Sequence, residues 1–187
     1  MGRDKRHLDV GGVGLLARVA EILGTVCGEV LIVTAEPEPH LHVGSGRLVT
    51  DEIPGKGTLG GIYTGLLHAA GPRALVVACD MPFLNAELLR WLADRDPAAD
   101  VLMPRLATGL QPTHAIYSKR CVDPLKRLLD AGEMKAQSLA SHSGLAVTVI
   151  NESDVRPHDP DLLSFLNLNT PADLEMARKL LAQRRSS

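Results

Sequence analysis

The sequence has few aromatic residues, few cysteines and no excess of either charge. Aromatic residues make up only 3% of the 187 residues, which disfavours the stacking surfaces of proteins that bind single-stranded nucleic acid. The formal net charge of −2 lacks the basic footprint by which proteins bind nucleic acid or anionic membranes. We therefore expect neither a nucleic-acid partner nor a membrane partner.

The cysteines and the apolar runs exclude two further classes of protein. Cys27, Cys79 and Cys121 are odd in number and far apart, so they form neither a disulfide framework nor a zinc-binding pattern. No apolar run approaches the roughly 20 residues of a membrane span. The charged amino terminus "MGRDKRHLD" has no apolar signal region. These absences predict a cytoplasmic protein.

What the sequence does contain is an alternation of helix-like and strand-like segments. Hydrophobic residues make up 45% of the chain, enough for a single domain over residues 1–187. The strand-like segments are "GEVLIVTA", "RLVT", "ALVVA", "ADVLMP", "THAIYS" and "LAVTVI", with helical patterns between them. This order predicts an α/β fold, a three-layer αβα sandwich with a mainly parallel sheet. In such sheets, ligands bind beyond the carboxyl ends of the strands.

One carboxylate follows what the pattern predicts to be the most deeply buried strand. Ala74–Ala78 are all apolar, which suits a strand covered on both faces, and Asp80 comes next, before a turn at Pro82. Asp80 fits two roles. It can cap the turn, or it can bind magnesium, which commonly takes one or two carboxylates together with substrate phosphates. The strand alone leaves both interpretations open.

Two other polar sites each allow either a functional or a structural interpretation. Asp51 precedes a glycine-rich turn that leads into a helix at residues 57–60. Glycines let a backbone approach a ligand, and the first N–H groups of a helix can bind a base edge or a phosphate, but an ordinary strand-to-helix turn has a similar composition. Asn169 precedes the last helix, where it can offer an amide oxygen to a cation or support the turn.

Five motifs occur in one order along nearly the whole chain. They are "MGRDK", "DEIPGKGTLGGIYTGL", "VVACDMPFL", "LQPTHAIY" and "LNLNTPADLEMA". Together they resemble the molybdenum cofactor guanylyltransferases, also called molybdopterin-guanine dinucleotide biosynthesis protein A. The resemblance implies a Rossmann-like nucleotidyltransferase domain that binds GTP with Mg²⁺. In that family the terminal phosphate of molybdopterin attacks the α-phosphate of GTP, and pyrophosphate is released.

The resemblance also implies roles for individual residues. The catalytic pair would be Asp80, as the magnesium ligand, and Lys5, as the lysine that neutralises phosphate charge. The nucleotide-binding residues would be Lys5, Asp51, Gly57, Thr58, Leu59, Gly60 and Asp80. Gln111 and Pro112 would lie towards the pterin, and Asn169 resembles a metal-binding asparagine of related sugar nucleotidyltransferases. Nucleotidyl transfer mainly requires positioning and charge neutralisation, so a metal ion and a lysine can suffice. We expect a monomer with transient contacts to other molybdenum cofactor proteins.

The chain departs from the family pattern at its start. The family signature opens with a strand and an L-A-G-G-x-S-x-R loop, and the sequence begins at the methionine that follows them. We expect the natural protein to extend upstream by about one strand and a loop. Without that segment, the neighbouring strands would have unpaired edges, and triphosphate binding and activity would be weak.

Three alternatives to the guanylyltransferase interpretation stay open. One is a cytidylyl- or sugar-phosphate nucleotidyltransferase of similar fold, and another is a non-catalytic relative that binds or regulates the cofactor. The third is an NAD-dependent oxidoreductase, because "GVGLLA" at residues 12–17 fits G-x-G-x-x-A and Glu36 ends a strand about 20 residues later. The polar segment "KRHLDV" before these glycines disfavours the third, since that fingerprint requires a strand there.

Overall fold

A computed structural model describes residues 14–44, 46–142 and 144–185, with side chains up to residue 183. The strands are β1 (Leu31–Thr34), β2 (Arg47–Thr50), β3 (Arg73–Val77), β4 (Val101–Leu106), β5 (Gly109–Leu110), β6 (His114–Ser118) and β7 (Val147–Asn151). The helices are α1 (Leu15–Gly24), α2 (Gly57–His68), α3 (Ala86–Arg95), α4 (Val122–Asp130), α5 (Glu152–Val155) and α6 (Pro171–Arg185). None of these described helices is both long enough and apolar enough to cross a lipid bilayer.

The strands form two sheets. β1 and β2 pair in parallel, and the larger sheet has the order β3–β6–β4–β7, with β5 paired to the end of β4. β4 and β7 are parallel, whereas β6 lies antiparallel to both β3 and β4. β3, β4 and β7 therefore point in one direction, and β5 and β6 run against them. The predicted α/β class is confirmed; the pattern of apolar residues did not reveal the reversed strands, because it is the same for both strand directions.

Side chains cap the starts of two helices, α3 and α6. The side-chain oxygen of Asn85 accepts hydrogen bonds from the N–H groups of Glu87 (2.9 Å) and Leu88 (3.3 Å) at the start of α3. At the start of α6, the Thr170 hydroxyl accepts a hydrogen bond from the Asp173 N–H (3.1 Å), and the Asp173 carboxylate accepts one from the Thr170 N–H (2.7 Å). Caps of this kind are each worth about 1 kcal/mol.

Helices cover both faces of the larger sheet, which gives the predicted three layers. On one face, α2 and α4 pack against alternate residues of β4, in a cluster that includes Leu59, Ile62, Leu66, Val101, Met103, Leu125 and Leu129. On the other face, α3 packs against the residues in between, in a cluster that includes Leu88, Leu92, Leu102, Ile116 and Ile150. The alternation follows from the two-residue repeat of a strand, whose side chains point to opposite faces in turn.

β3 is less buried than its composition predicts. Every residue of β3 is only partly buried, and Ala78 lies beyond its end. The most deeply buried strand is β4, in which Val101, Leu102 and Met103 are 0% exposed. The expectation for β3 was wrong because, among the described residues, β6 alone pairs with it, while its other side lines a cavity.

Candidate functional site

A large cavity lies between β1 and β3. It has a volume of about 830 Å³ and is lined by Val30–Val33, by Arg73–Ala78 and by residues of α1 and α2. A second cavity of about 500 Å³ lies beside it and is lined by the chain that follows β1, including Glu36, and by Cys79. The carboxyl ends of β1 and β3 thus meet at one polar mouth. This is where ligands bind in α/β sheets.

Asp80 lies at this mouth, in the turn that follows β3, and lines the larger cavity. One oxygen of its carboxylate, Oδ1, is buried. Two hydrogen bonds hold the backbone of the turn: the Asp80 carbonyl accepts from the Leu168 N–H (2.9 Å), and the Pro82 carbonyl accepts from Nε of Arg18 (2.8 Å). The turn is therefore fixed to α1 and to the segment before α6. The sequence pattern gave no signal for the role of Arg18, because the contact spans 64 positions of the chain.

The contact between Leu168 and Asp80 brings the "NLN" segment to the same edge. Asn169, a predicted metal ligand, is exposed, and its backbone N–H donates to the Asp173 carboxylate at 2.9 Å. The side-chain oxygen of Asn167 is buried and makes no hydrogen bond to the described residues. A buried amide oxygen is costly unless a donor or a cation satisfies it. Asn167 is thus a further candidate ligand, and the alternation of two asparagines was the signal that could have shown it.

Asp51 holds the glycine-rich turn in place. Its Oδ1 accepts hydrogen bonds from the Thr64 hydroxyl (2.7 Å) and from the Ile53 N–H (3.2 Å). The Thr64 hydroxyl in turn accepts from the Glu52 N–H at 3.0 Å. Thr64 lies on α2 and is fully buried, so this network fixes the loop to the helix. The structure therefore gives Asp51 a positioning role, and the nucleotide contact expected of it stays a prediction.

Local backbone geometry and packing explain why glycine occupies two positions of the turn. Gly57 begins α2 with a φ of +55°, in the left-handed region that favours glycine. A Cβ atom on Gly60 would lie 3.0 Å from Cβ of Lys56 and 3.2 Å from Oδ2 of Asp51. Glycine at position 60 thus permits the loop to pack against α2. The nucleotide contact expected of both glycines stays a prediction.

Thr58 and Leu59 face in different directions. Thr58 lines the large cavity, whereas the side chain of Leu59 is 0% exposed within the core cluster of α2 and α4. Only the backbone of Leu59 is therefore available to a bound nucleotide. The structure brings Thr58 and Asp80 to one cavity, and it places the Leu59 side chain away from it.

Gln111 and Pro112 belong to a turn that carries the next residue to the cavity. The Gln111 amide nitrogen donates to the Gly109 carbonyl at 2.9 Å, and the Pro112 carbonyl accepts from the hydroxyl of the buried Tyr117 at 2.8 Å. Thr113 lines the large cavity. The predicted pterin contacts of Gln111 and Pro112 stay predictions, and the geometry adds Thr113 as the residue of this turn that borders the cavity.

His114 is a buried histidine beside the site. It pairs with Val77 at the end of β3, and its ring lies 4.3 Å from that of Phe165. Neither ring nitrogen makes a hydrogen bond to a described residue. Burial lowers the pKa of His114 to about 3, so the ring is neutral at pH 7. His114 therefore fills apolar space beside Phe165.

A cluster of polar contacts lies at the amino end of the large cavity, which Glu29 and Ala70 line. The Glu29 carboxylate accepts hydrogen bonds from the Ala70 N–H and from the Arg47 guanidinium, both at 2.9 Å. Arg47 also donates to the His68 carbonyl at 2.8 Å. The Ala70 hydrogen bond and then Arg47 hold the pKa of Glu29 below its ordinary value. This cluster joins the start of β1 to the loop before β3.

The described residues contain no group of three or more His, Cys, Asp or Glu side chains placed to hold a metal ion. The oxygen donors of the turn after β3 and of the segment bonded to it are the Asp80 carboxylate and the side-chain amides of Asn167 and Asn169, the two neighbours of Leu168. Oxygen donors of these two kinds suit Mg²⁺, which also takes substrate phosphates and water. Lys5 lies outside the described residues, so its role stays a prediction.

Comparison with known proteins identifies the family to which this chain belongs. The model of the MobA-like NTP transferase domain matches residues 1–146. A probable molybdenum cofactor guanylyltransferase from Pelotomaculum thermopropionicum is 37% identical over 186 residues, which cover 100% of this chain and 89% of the relative. The crystal structure of molybdopterin-guanine dinucleotide biosynthesis protein A from Archaeoglobus fulgidus has a TM-score of 0.82 and 27% identity, and the match covers 97% of this chain and 92% of that chain.

A more distant similarity bears on the fold alone. The 2-C-methyl-D-erythritol 4-phosphate cytidylyltransferase of Thermus thermophilus has a TM-score of 0.71 at 18% identity, over 95% of this chain and 94% of that chain. The predicted Rossmann-like nucleotidyltransferase fold is confirmed. The family model favours this interpretation over the NAD-dependent one. The chain belongs to the MobA-like NTP transferase family.

Proposed function

We propose that the protein transfers GMP from GTP to the terminal phosphate of molybdopterin and releases pyrophosphate. The observation that carries the proposal is the position of Asp80, a partly buried carboxylate at the mouth of the large cavity, just beyond the end of β3. The relative from Pelotomaculum thermopropionicum, named as a probable molybdenum cofactor guanylyltransferase, supports the choice of substrates.

Mg²⁺ is the proposed cofactor. Asp80 would hold it with a carboxylate oxygen, and Asn167 and Asn169 would add amide oxygens. The ion would supply positive charge against the triphosphate as negative charge builds up on the leaving pyrophosphate. The chemistry of this donor set fits the ion, because magnesium prefers carboxylate, carbonyl and phosphate oxygens.

The residues of the chain itself would act mainly by positioning. Arg18 and Leu168 hold the turn of Asp80, and Asp51 holds the loop that leads to the first N–H groups of α2. These N–H groups, at the start of α2, would bind the guanine edge or a phosphate. Holding two phosphates in line contributes a large part of the acceleration in such transfers.

Three further residues complete the proposed site. Lys5 would neutralise phosphate charge during the transfer, and Gln111 and Pro112 would lie towards the molybdopterin. We further propose that the protein works in the cytoplasm as a monomer, with transient contacts to other molybdenum cofactor proteins. The resemblance to the family supports these assignments.

The test compares the activity of a variant that lacks the Asp80 carboxylate with that of a control variant that lacks the Asp94 carboxylate. Asp80→Ala should lower GTP-dependent pyrophosphate release in the presence of molybdopterin by about 100-fold or more, since the charge opposite the triphosphate is lost. Asp94→Ala, an exposed aspartate on α3, removes the same charge away from the cavity and should leave the rate unchanged. The thermal midpoint should be similar in both variants.

Two further measurements can overturn the proposal. Mn²⁺ binding in the presence of GTP, followed by electron paramagnetic resonance, should weaken in Asp80→Ala and not in Asp94→Ala. Equal binding in the two variants would remove Asp80 from the metal site. Faster turnover with CTP than with GTP would show that the protein is a cytidylyltransferase and would contradict the proposed guanylyl transfer.

A further inference from the structure

The chain between α5 and α6 is bonded to the turn of Asp80 at two points. The Asp80 carbonyl accepts a hydrogen bond from the Leu168 N–H at 2.9 Å, and the Phe83 carbonyl accepts one from the Ser164 hydroxyl at 3.3 Å. The two bonds join residues 80–83 of the turn to residues 164–168. Asp80 and Asn167, a carboxylate and an amide that suit Mg²⁺, belong to these two joined segments.

Ser164 bonds to the turn with both the donor and the acceptor of its hydroxyl. The residue is 0% exposed. Besides donating to the Phe83 carbonyl, its oxygen accepts from the Asn85 N–H at 3.1 Å. Removing the hydroxyl would take a hydrogen-bond partner from each of these two backbone groups, which is costly where water cannot replace it. One buried side chain thus fixes two backbone groups of the chain that follows Asp80.

The position of Ser164 is set by Asp159, which is also buried. The Asp159 carboxylate accepts hydrogen bonds from the N–H groups of Leu163 (3.3 Å) and Ser164 (2.9 Å). Between them, Leu162 has a φ of +54°, and no other non-glycine residue in the described part of the chain has a positive φ. Such a conformation persists only where the surrounding contacts impose it, and it is enriched at functional sites.

Two further contacts strengthen the connection between the segments. The side-chain nitrogen of Asn85 donates to the His158 carbonyl at 2.8 Å, while the oxygen of the same amide caps α3. Phe83 and Leu168 belong to one buried apolar cluster with residues of α1 and α6. The two segments are therefore held together along their length, and Ser164 is the residue that joins them by its side chain at the centre.

We propose that Ser164, oriented by Asp159, is a positioning residue for the metal ion: its hydroxyl fixes the spacing between the turn of Asp80 and the segment of Asn167. Mg²⁺ requires near-octahedral geometry, so ligands from two segments must be held at a fixed spacing. Loss of a residue that orients metal ligands typically lowers metal affinity by about ten-fold or more. The inference rests on the proposed function, because it concerns the ion of that site.

Two serine variants test the role of the hydroxyl. Ser164→Ala should weaken the binding of Mn²⁺ in the presence of GTP by about ten-fold, measured by electron paramagnetic resonance. Ser118→Ala is the matched control, because the Ser118 hydroxyl also donates once, to the Asp100 carboxylate (2.8 Å), and accepts once, from the Arg120 N–H (3.2 Å). Ser118 pairs with Arg73 at the amino end of β3, away from the mouth. Its variant should bind Mn²⁺ as the unaltered protein does.

Hydrogen exchange in the metal-free protein gives a readout that does not depend on activity. Both serine variants lose two hydrogen bonds, so they should lose similar global stability. Ser164→Ala should nevertheless accelerate exchange at the Leu168 N–H by about ten-fold more than Ser118→Ala does, because it alone loosens this segment. Equal acceleration in the two variants would overturn the proposal, since it would mean that Ser164 contributes only to global stability.

The part assigned to Asp159 is tested by combining substitutions. Asp159→Asn places an amide N–H against a backbone N–H and should weaken Mn²⁺ binding in the same direction as Ser164→Ala. If Asp159 acts through Ser164, the double variant should bind little more weakly than Ser164→Ala alone. Additive losses would overturn the role of Asp159 in orienting Ser164.

The Asp80→Ala variant separates failure of this inference from failure of the proposed function. Equal Mn²⁺ binding by Ser164→Ala and Ser118→Ala, with binding still weakened in Asp80→Ala, would overturn the role of Ser164 and leave the proposed function intact. Undiminished binding in Asp80→Ala would overturn both, because the ion would then not be held at this turn.

Discussion

β3 and β4 are both rich in apolar residues and run in the same direction, yet they differ sharply in burial. Val101 and Leu102 of β4 are 0% exposed, whereas no residue of β3 is fully buried. β4 has strands on both edges and helices on both faces, and β3 has a strand on one edge and the large cavity on the other. Burial is thus decided by how many neighbours a strand has, and composition alone does not give that number.

The largest expected change in the free energy of unfolding comes from replacing one leucine in each of the two strands. Leu102→Ala should lower the free energy of unfolding by about 3 kcal/mol, because it leaves a cavity in a closed core. Leu75→Ala, in a half-buried position of β3, should cost about 1.5 kcal/mol, since less apolar surface is lost. Urea unfolding at pH 7 measures both. Equal costs would show that the cavity does not weaken the packing of β3.

The next test concerns β6, the strand that lies between β3 and β4. Its residue His114 pairs with Val77 of β3. The folded-state pKa of His114 lies at about 3, below the ordinary value of 6.5, so the unfolded chain binds the proton first as the pH falls. The contribution of His114 is fully present above pH 6.5 and is lost between pH 6.5 and 3. From pH 7 to pH 5 the loss should be about 2 kcal/mol.

His114→Phe isolates this effect, because the variant removes the titrating group and keeps an aromatic ring against Phe165. Its free energy of unfolding should fall by less than that of the unaltered protein over the same pH interval. The comparison concerns the slope with pH, so a change in absolute stability does not affect it. The same slope in both proteins would mean that water from the cavity reaches the histidine.

A third test separates the positioning role of Asp51 from a direct nucleotide contact. Thr64→Val removes the hydroxyl that bonds to Asp51 and to the Glu52 N–H, and it should cost about 1.5 kcal/mol in the free energy of unfolding. If Asp51 acts through the loop alone, Thr64→Val and Asp51→Asn should weaken GTP binding equally. A larger loss in Asp51→Asn would show that the carboxylate also contacts the nucleotide. Fluorescence titration with a labelled GTP measures both.

Local features of this protein were predictable from sequence, and features that depend on which elements meet were not. The caps at Asn85 and Thr170 require only residues a few positions apart, so the sequence shows them. The position of Asp80 at a strand end follows from one apolar run and a turn. The contact of Arg18 with Pro82 and the burial of the Asn167 oxygen depend on α1 and the chain before α6 packing on the same turn.

The smallest expected effect is that of Arg18, which tests whether the turn of Asp80 needs support from α1. Arg18→Met keeps an unbranched apolar stem but removes the hydrogen bond to the Pro82 carbonyl. Loss of one such bond is worth about 1 kcal/mol, which corresponds to a roughly five-fold weaker binding of Mn²⁺ in the presence of GTP.

Arg18→Lys restores the charge, but its ammonium cannot reproduce the donor geometry of the guanidinium. If Arg18 acts by holding the turn, Arg18→Lys should therefore resemble Arg18→Met. If it acts through its charge on the triphosphate, lysine should restore most of the binding. Hydrogen exchange at the Leu168 N–H, which bonds to the Asp80 carbonyl, adds an independent readout. Faster exchange in both variants would show that the turn has loosened, because a change in charge alone would leave that amide protected.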